Sequence, residues 1–350
     1  MGNETNYNIH GLIKFRIEGD NTKIINHFKE DYAYFVVKDD IEPDFRLIVS
    51  DFTLDTNDCY FINYKYYVRE NYIACNDGYK IVKWKVAIEN IDTKPVIHFS
   101  GGMFSEIFLR DYIIEPLIAF LLNQKGLVLL HASSVAYQDK GYIFSATKGT
   151  GKTSTLLNLI RDGGIYLSNE PTLLSERGIV YSYPSFIHLY YYNFKSVPFI
   201  TYKLNTQQKV ELYVKHLVHL ISLKYVSFSL NINAKTFFGN IGSQYPVKSF
   251  ILLNKTNKNN IMINSSMKKD ELIHKLVIIN KFEWEYFSRL IAAYSYVFPK
   301  SIVTSFWRKY QEILEKSLEG INIYSIDVPK LYDDETYNEI FKLVKMNEDS

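Results

Sequence analysis

The first hundred residues alternate short apolar and polar runs, which is the pattern of strands with one buried face. The segments GLIKFRIEG, FRLIVSDF, YFINYKYYVR and KWKVAIEN show this alternation. Turn signals interrupt it at NDG (76–78) and GG (101–102), and one helix is predicted near residues 21–30. The pattern therefore predicts a small β-rich N-terminal domain over residues 1–108.

From Asp111 onward the pattern changes to that of an α/β domain, predicted over residues 109–350 with a helical C-terminal part. The helical run YIIEPLIAFLLNQ precedes GLVLLHASSVAY and GYIFSA, two strongly apolar segments typical of buried strands. Further helices are predicted at 152–161, 208–223, 283–296, 302–317 and 335–345, and further strands at 164–168, 178–182, 248–255 and 321–326. One face of the helix at 302–317 carries the spacing of a core stripe, formed by Ile302, Phe306, Tyr310 and Ile313.

The composition, 47% hydrophobic and 22% charged, is that of a folded globular protein. The formal net charge of +2 gives no overall field that would indicate nucleic acid or a membrane surface as the partner. Cys59 and Cys75 match neither a disulfide framework nor a zinc site. The longest apolar stretch, about 113–122, contains Glu115 and Pro116 and is short for a membrane span, and no signal peptide is evident. We expect a cytoplasmic protein with no membrane and no nucleic-acid partner.

One segment, GYIFSATKGTGKTSTLLNLI, combines a strand, a glycine-containing turn and a helix, which is the context of a phosphate-binding loop. Ala146 stands at the first motif position, where no left-handed backbone is required. Gly149 and Gly151 let backbone amides converge on phosphate oxygens at a helix start. Lys152 would add a charge near the β and γ phosphates, and Thr153 a hydroxyl for Mg²⁺. The predicted nucleotide-binding residues are Thr147, Lys148, Gly149, Thr150, Gly151, Lys152, Thr153 and Ser154.

The motifs of two common P-loop classes are missing around this loop. The sequence has neither the base-reading and switch motifs of a GTPase nor an evident Walker B strand ending in Asp. It has instead His131, twenty-one residues before Lys152, and the pair Asn169-Glu170, which begins sixteen residues after Thr153. Four other histidines share no metal-site spacing beyond one helical pair and are expected at the surface or in packing, namely His188, His216, His219 and His274.

At these residues the sequence resembles the kinase domain of the HPr kinase/phosphorylase-like P-loop proteins. The matching segments are LHAS (130–133), the loop itself, GIYLSNE (164–170) and YPS (183–185). The resemblance covers about residues 110–345, and weaker similarity in the first hundred residues is to the short form found in bacterial peptide-modification gene clusters. It implies an α/β domain of the HPr kinase and phosphoenolpyruvate carboxykinase type, which transfers a phosphoryl group from a nucleotide to a serine hydroxyl.

The resemblance also implies roles for four residues. Lys152 and His131 would lie near the transferring phosphate, and Glu170, with Thr153, would help to bind Mg²⁺. Asn169 stands where the family has the Asp that acts as base, and an amide cannot accept the serine proton as a carboxylate can. Transfer depends mainly on positioning and charge neutralisation, so His131 or Glu170 could serve as the base instead.

Three functions are compatible with these observations. The first is an ATP-dependent serine kinase that acts on a peptide or small protein, in the tailoring of a ribosomally made peptide. The second is a nucleotide-binding regulatory or scaffold protein in which Asn169 marks weakened or lost transfer. The third is a kinase of a free small molecule. GTP is as compatible as ATP, because the loop contacts only phosphates. Self-association is expected by resemblance, and the N-terminal domain is a candidate for acceptor or partner recognition.

Overall fold

The computed structural model describes residues 3–191, 193–221, 229–258 and 260–346. Its strands are β1 Asn3–Ile9, β2 Ile13–Gly19, β3 Val36–Val37, β4 Phe45–Val49, β5 Tyr60–Ile62, β6 Tyr66–Arg69, β7 Tyr72–Tyr79, β8 Val82–Glu89, β9 Val96–Gly101, β10 Leu127–Leu130, β11 Ala132–Tyr137, β12 Lys140–Ala146, β13 Ile165–Asn169, β14 Thr172–Ser175, β15 Ile179–Tyr181, β16 Phe186–Leu189, β17 Leu230–Asn233, β18 Gln244–Lys255, β19 Met262–Asn264 and β20 Asn322–Val328. Strands and helices are interspersed along the chain, so this is a mixed α/β protein with several sheets.

Helices of four to sixteen residues connect and cover these strands. They are α1 Thr22–Asp31, α2 Ser105–Leu109, α3 Glu115–Asn123, α4 Lys152–Arg161, α5 Asn193–Ser196, α6 Ile200–Lys203, α7 Thr206–Ile221, α8 Ala234–Phe238, α9 Lys269–Glu283, α10 Glu285–Val297, α11 Phe306–Ser317 and α12 Asp334–Met346. Across the described residues, no helix combines the length and the apolar character needed to cross a lipid bilayer.

The chain divides into two compact units. The first comprises Met1–Val128 with Asn280–Ile313, and the second comprises Leu129–Ile279 with Leu314–Ser350. This division differs from the predicted single boundary after residue 108, because two later segments fold with the N-terminal strands. Within the first unit, the Tyr286 hydroxyl lies 3.2 Å from the Cys75 sulfur and accepts the Trp84 indole N–H at 3.4 Å. Contacts between segments so far apart in the chain leave no signal in local periodicity.

The first unit is built on a nine-stranded sheet with the order β3-β1-β2-β4-β9-β8-β7-β6-β5. Neighbours are antiparallel except at β2 with β4 and β4 with β9. Alternate residues of β2 and β4 are buried, as the sequence pattern predicts. Three aromatic rings from adjacent strands stack in this core, with centroids 4.5 Å apart for Tyr7 and Phe15 and 4.8 Å apart for Phe15 and Phe45.

The second unit is built on a mixed sheet whose main path is β10-β14-β15-β18-β12-β11-β13, with β20 paired to β18 and β19 to β20. The strands β12, β18 and β20 run parallel to one another, and β11 and β12 form an antiparallel hairpin. Six of the seven residues of β12 are buried, which agrees with the continuous apolar run GYIFSA. The helix α4 follows β12 directly. A separate two-stranded sheet pairs β16 with β17.

Most longer predicted elements are confirmed, with small shifts at their ends. The predicted helix at 208–223 begins at Thr206, and its last two positions lie outside the described residues. The stripe at 302–317 needs a correction, because Ile302 lies in a 3₁₀ turn before α11 and is 42% exposed, whereas its three partners are buried. The Ser301 hydroxyl accepts the Val303 N–H at 3.1 Å and so caps that turn.

Candidate functional site

The predicted phosphate loop lies between β12, which ends at Ala146, and α4, which begins at Lys152, and the predicted helix bounds of 152–161 are confirmed. Gly149 has a φ of 76° and Gly151 a φ of 117°, backbone conformations that favour glycine. A Cβ on Gly151 would also lie 2.5 Å from the ring of Tyr332. The turn therefore needs glycine at 151 for two reasons, backbone conformation and space.

Lys152 is the centre of the site. Its side chain is 3% exposed, and its ammonium group donates to the Ala146 carbonyl at 2.6 Å. The same Nζ atom lies 2.9 Å from His131 Nε2 and 2.9 Å from Glu170 Oε1. The structure thus brings together three of the four predicted catalytic residues, with His131 and Glu170 beside the ammonium group of Lys152 at the start of a helix.

Glu170 follows the last residue of β13 and has a left-handed backbone with a φ of 56°, unusual for a residue with a side chain. Its N–H donates to the Ala132 carbonyl at 3.0 Å, which fixes it beside β11. Desolvation by itself raises the pKa of the carboxyl group, but the charges of His131 and Lys152 outweigh it and lower the pKa to about 2. The side chain, 34% exposed, is therefore an ionised carboxylate at neutral pH.

Asn169 is the fourth predicted catalytic residue and is buried at the end of β13. Its Oδ1 atom accepts the Ser133 hydroxyl at 2.9 Å and the Thr153 hydroxyl at 3.3 Å. The amide oxygen thus links β11 to the first turn of α4. An amide oxygen can accept these two hydrogen bonds and so position Thr153, but it is too weakly basic to take up a proton.

The remaining loop residues divide by exposure. Thr147, Lys148 and Gly149 are exposed, while the Thr150 side chain is buried and its hydroxyl donates to the Thr147 carbonyl at 2.8 Å. The Ser154 hydroxyl lies 2.8 Å from that of Ser196, inside the second unit. The backbone N–H of Ser154, in the first turn of α4, is the group that we expect to face a phosphate.

The predicted metal ligands are Thr153 and Glu170. Among the residues that the structure describes, no cluster of three or more His, Cys, Asp or Glu side chains could hold a metal ion. Mg²⁺ commonly takes only one or two protein carboxylates and completes its shell with phosphates and water. The ionised Glu170 and the Thr153 hydroxyl, both beside the loop, fit a Mg²⁺ ion of that kind.

Three residues beside the site were not predicted from the sequence. Lys255, at the end of β18, donates to the Gly149 carbonyl at 2.9 Å, and Tyr332 lies 2.8 Å from the Thr155 hydroxyl. His188, predicted as a surface or packing residue, is close enough for its charge to help lower the pKa of Glu170. Each lies in a different strand or loop far from the motif in sequence, so no spacing signal could have identified it.

No protein-family model matches the chain, and no curated protein matches it. Among solved structures the chain is similar to the HPr(Ser) kinase/phosphatase from Coxiella burnetii, with a TM-score of 0.24 and 14% sequence identity. The match covers 45% of this chain and 98% of that chain.

Proposed function

We propose that this protein binds a nucleoside triphosphate at the loop and transfers its γ-phosphoryl group to a serine hydroxyl of a peptide or small protein. The observation that carries the proposal is the meeting of Lys152 with His131 and Glu170 beneath a glycine turn at the start of α4, each at 2.9 Å from the ammonium group. A helix start with an adjacent cation is a ready site for a triphosphate.

In this reaction the serine oxygen forms a bond to the γ-phosphorus, and the bond from that phosphorus to its bridging oxygen breaks. The nucleoside diphosphate leaves with that electron pair. The loop amides and Lys152 stabilise the negative charge on the transferring group. A bound Mg²⁺ ion, held by Glu170 and Thr153, would neutralise phosphate charge and orient the leaving group. Asn169 keeps the Thr153 hydroxyl in place.

The serine proton needs an acceptor other than Asn169. With a pKa of about 2, Glu170 is a weak base at neutral pH, and its Oε1 atom is engaged by Lys152. His131 lies 3.5 Å from that oxygen, and its side chain is 12% exposed at the same centre. His131 in its neutral form and Glu170 are therefore both candidates to accept the serine proton, since each is engaged by the Lys152 ammonium group.

Replacing Lys152 by Ala tests the binding step. We expect calorimetry with Mg·ATP to show at least a tenfold loss of affinity, because the loop loses the charge that faces the phosphates. The matched control is Lys235→Ala, which removes an exposed lysine from the same unit. Parallel titrations with Mg·GTP identify the preferred purine. Unchanged ATP affinity in the Lys152 variant would remove the basis of the proposal.

A nucleotide-binding regulatory or scaffold protein is the second candidate. It is favoured by Asn169, because the family base is missing and the amide oxygen already accepts two hydroxyl groups. Asn169→Asp separates the two functions, since a carboxylate oxygen can accept the same hydrogen bonds. Mass spectrometry of candidate peptides after incubation with Mg·ATP should detect serine phosphate with the wild type if it is a kinase. Phosphate detected only with the variant would favour the regulatory protein.

A further inference from the structure

The helix α7 is attached to the second unit by one face only. Leu212 is buried in the core of that unit, and the ring of His216 stacks on Tyr191 with centroids 3.6 Å apart. On the same side, Lys215 donates to the Ser229 carbonyl at 2.8 Å. These contacts fix the rotation of the helix about its axis and therefore decide which residues face outward.

The outward face of α7 is apolar and follows a seven-residue repeat. The six residues of this face are each between 48 and 72% exposed to solvent. The first, fourth and fifth positions of two successive heptads are Val210, Tyr213, Val214, Leu217, Leu220 and Ile221. A repeat of apolar residues at first and fourth positions is the pattern by which one helix packs along another. The amphipathic helix predicted here is confirmed, but it turns this apolar stripe away from its own core.

The extent of the stripe indicates what covers it. These side chains expose on the order of 600 Å² of apolar surface, at the upper end of what monomeric proteins leave open. Pairing of two such faces would bury on the order of 1,200 Å² in total, which is the lower end of a standard interface. Two copies of one stripe can satisfy each other about a two-fold axis, as in most homo-oligomers.

We propose that α7 packs antiparallel against α7 of a second copy of this chain. In an antiparallel pair of helices, first positions face fourth positions. Val210 then meets the partner's Leu220, and Tyr213 meets the partner's Leu217, so that the two-fold axis passes near position 215. The two-fold axis repeats each of these two pairs, so the interface has four layers of side chains. All four layers are apolar, and every residue in them is exposed in the single chain.

The charges of α7 are compatible with this pairing. Lys215 forms an ion pair with Glu211 at 2.5 Å, and Lys209 is the other lysine of the helix. Repulsion between the helices of two copies is therefore small and is screened at physiological salt. Nucleotide binding is not required for the pairing, so its test is independent of the function proposed above.

Sedimentation equilibrium of the full chain between about 1 and 100 μM tests the proposal, because interfaces at the lower end of the standard size extend into the micromolar range of affinity. We expect a monomer–dimer equilibrium, and at least a hundredfold weaker dimer for Leu217→Glu, which places a charge in two of the four layers. Val210→Glu is the second variant and should act in the same direction. Leu331→Glu is the control, because it makes the same change at an exposed leucine outside α7.

Circular dichroism should match among all variants, because each changed residue is more than half exposed. Melting temperatures should match only below about 1 μM, where the wild type is monomeric and dimerisation adds no stability. A chain that is monomeric at 100 μM would overturn the proposal. A dimer that both α7 variants leave intact would overturn it as well, because the interface would then lie elsewhere.

Discussion

Lys152 and Glu170 are an ion pair whose members have different surroundings. The lysine is almost fully buried, whereas the carboxylate is one third exposed. An arriving phosphate could replace Glu170 as the partner of the ammonium group, because both are oxygen anions. Glu170 would then be available to a metal ion. Because the carboxylate is ionised and paired with Lys152, the pair makes the stability of the unliganded protein depend on pH.

That dependence can be measured with Glu170→Gln. The pKa of Glu170 in the folded state is about 2 and its ordinary value is 4.5. The carboxylate therefore stabilises the fold fully above pH 4.5, and its contribution disappears as the pH falls from 4.5 towards 2. We expect the melting temperature of the wild type to exceed that of the variant at pH 6, and the difference to shrink steadily below pH 4.5.

The control for this experiment is Glu319→Gln, at an exposed position, for which we expect little change in melting temperature at pH 6. A difference between wild type and Glu170→Gln that stays constant from pH 6 to pH 3 would contradict the assigned ion pair.

At the scale of single elements, the turn between β12 and α4 joins a buried strand to a helix start. The strand positions the turn because β12 lies between β11 and β18, and α4 packs back on the sheet through Leu156, Leu157 and Leu159, all fully buried. This element was predictable in full, because strand, turn and helix are adjacent in sequence and each has its own local signal.

Two glycine substitutions should separate backbone strain from steric clash in this turn. Gly149→Ala meets no atom within 4 Å, so we expect only the strain of a positive φ, about 1–2 kcal/mol. Gly151→Ala must also displace the Tyr332 ring, and we expect roughly 1–3 kcal/mol more. Urea unfolding of both variants measures the difference. Equal losses would mean that Tyr332 does not restrict the turn.

At the scale of the whole molecule, the chain leaves the first unit and returns to it. The segment Asn280–Ile313 belongs with the N-terminal strands, although more than 150 residues separate them in sequence. Tyr286 of α10 supplies the hydroxyl that accepts the indole N–H of Trp84.

The role of the N-terminal strands in acceptor recognition and a cytoplasmic location both stay predictions.

Tyr286→Phe tests that return of the chain. The variant leaves the buried Trp84 N–H without its acceptor, and we expect a loss of about 1–3 kcal/mol in the free energy of unfolding. The control, Tyr296→Phe, removes a hydroxyl from the same helix at a position that is 79% exposed and should change stability by less than about 0.5 kcal/mol. Equal effects of the two variants would contradict the described packing of α10.

The sequence by itself determined the glycine turn between β12 and α4, the helix after it and most of the longer strands, because the side chains that specify them are neighbours in the chain. It also identified His131, Asn169 and Glu170 as candidates, through the order and spacing of a family pattern. Only the tertiary structure decided that Asn169 links Ser133 to Thr153, that residues 280–313 fold with the first unit, and that α7 turns its apolar stripe outward. These depend on contacts between distant segments, which periodicity along the chain does not encode.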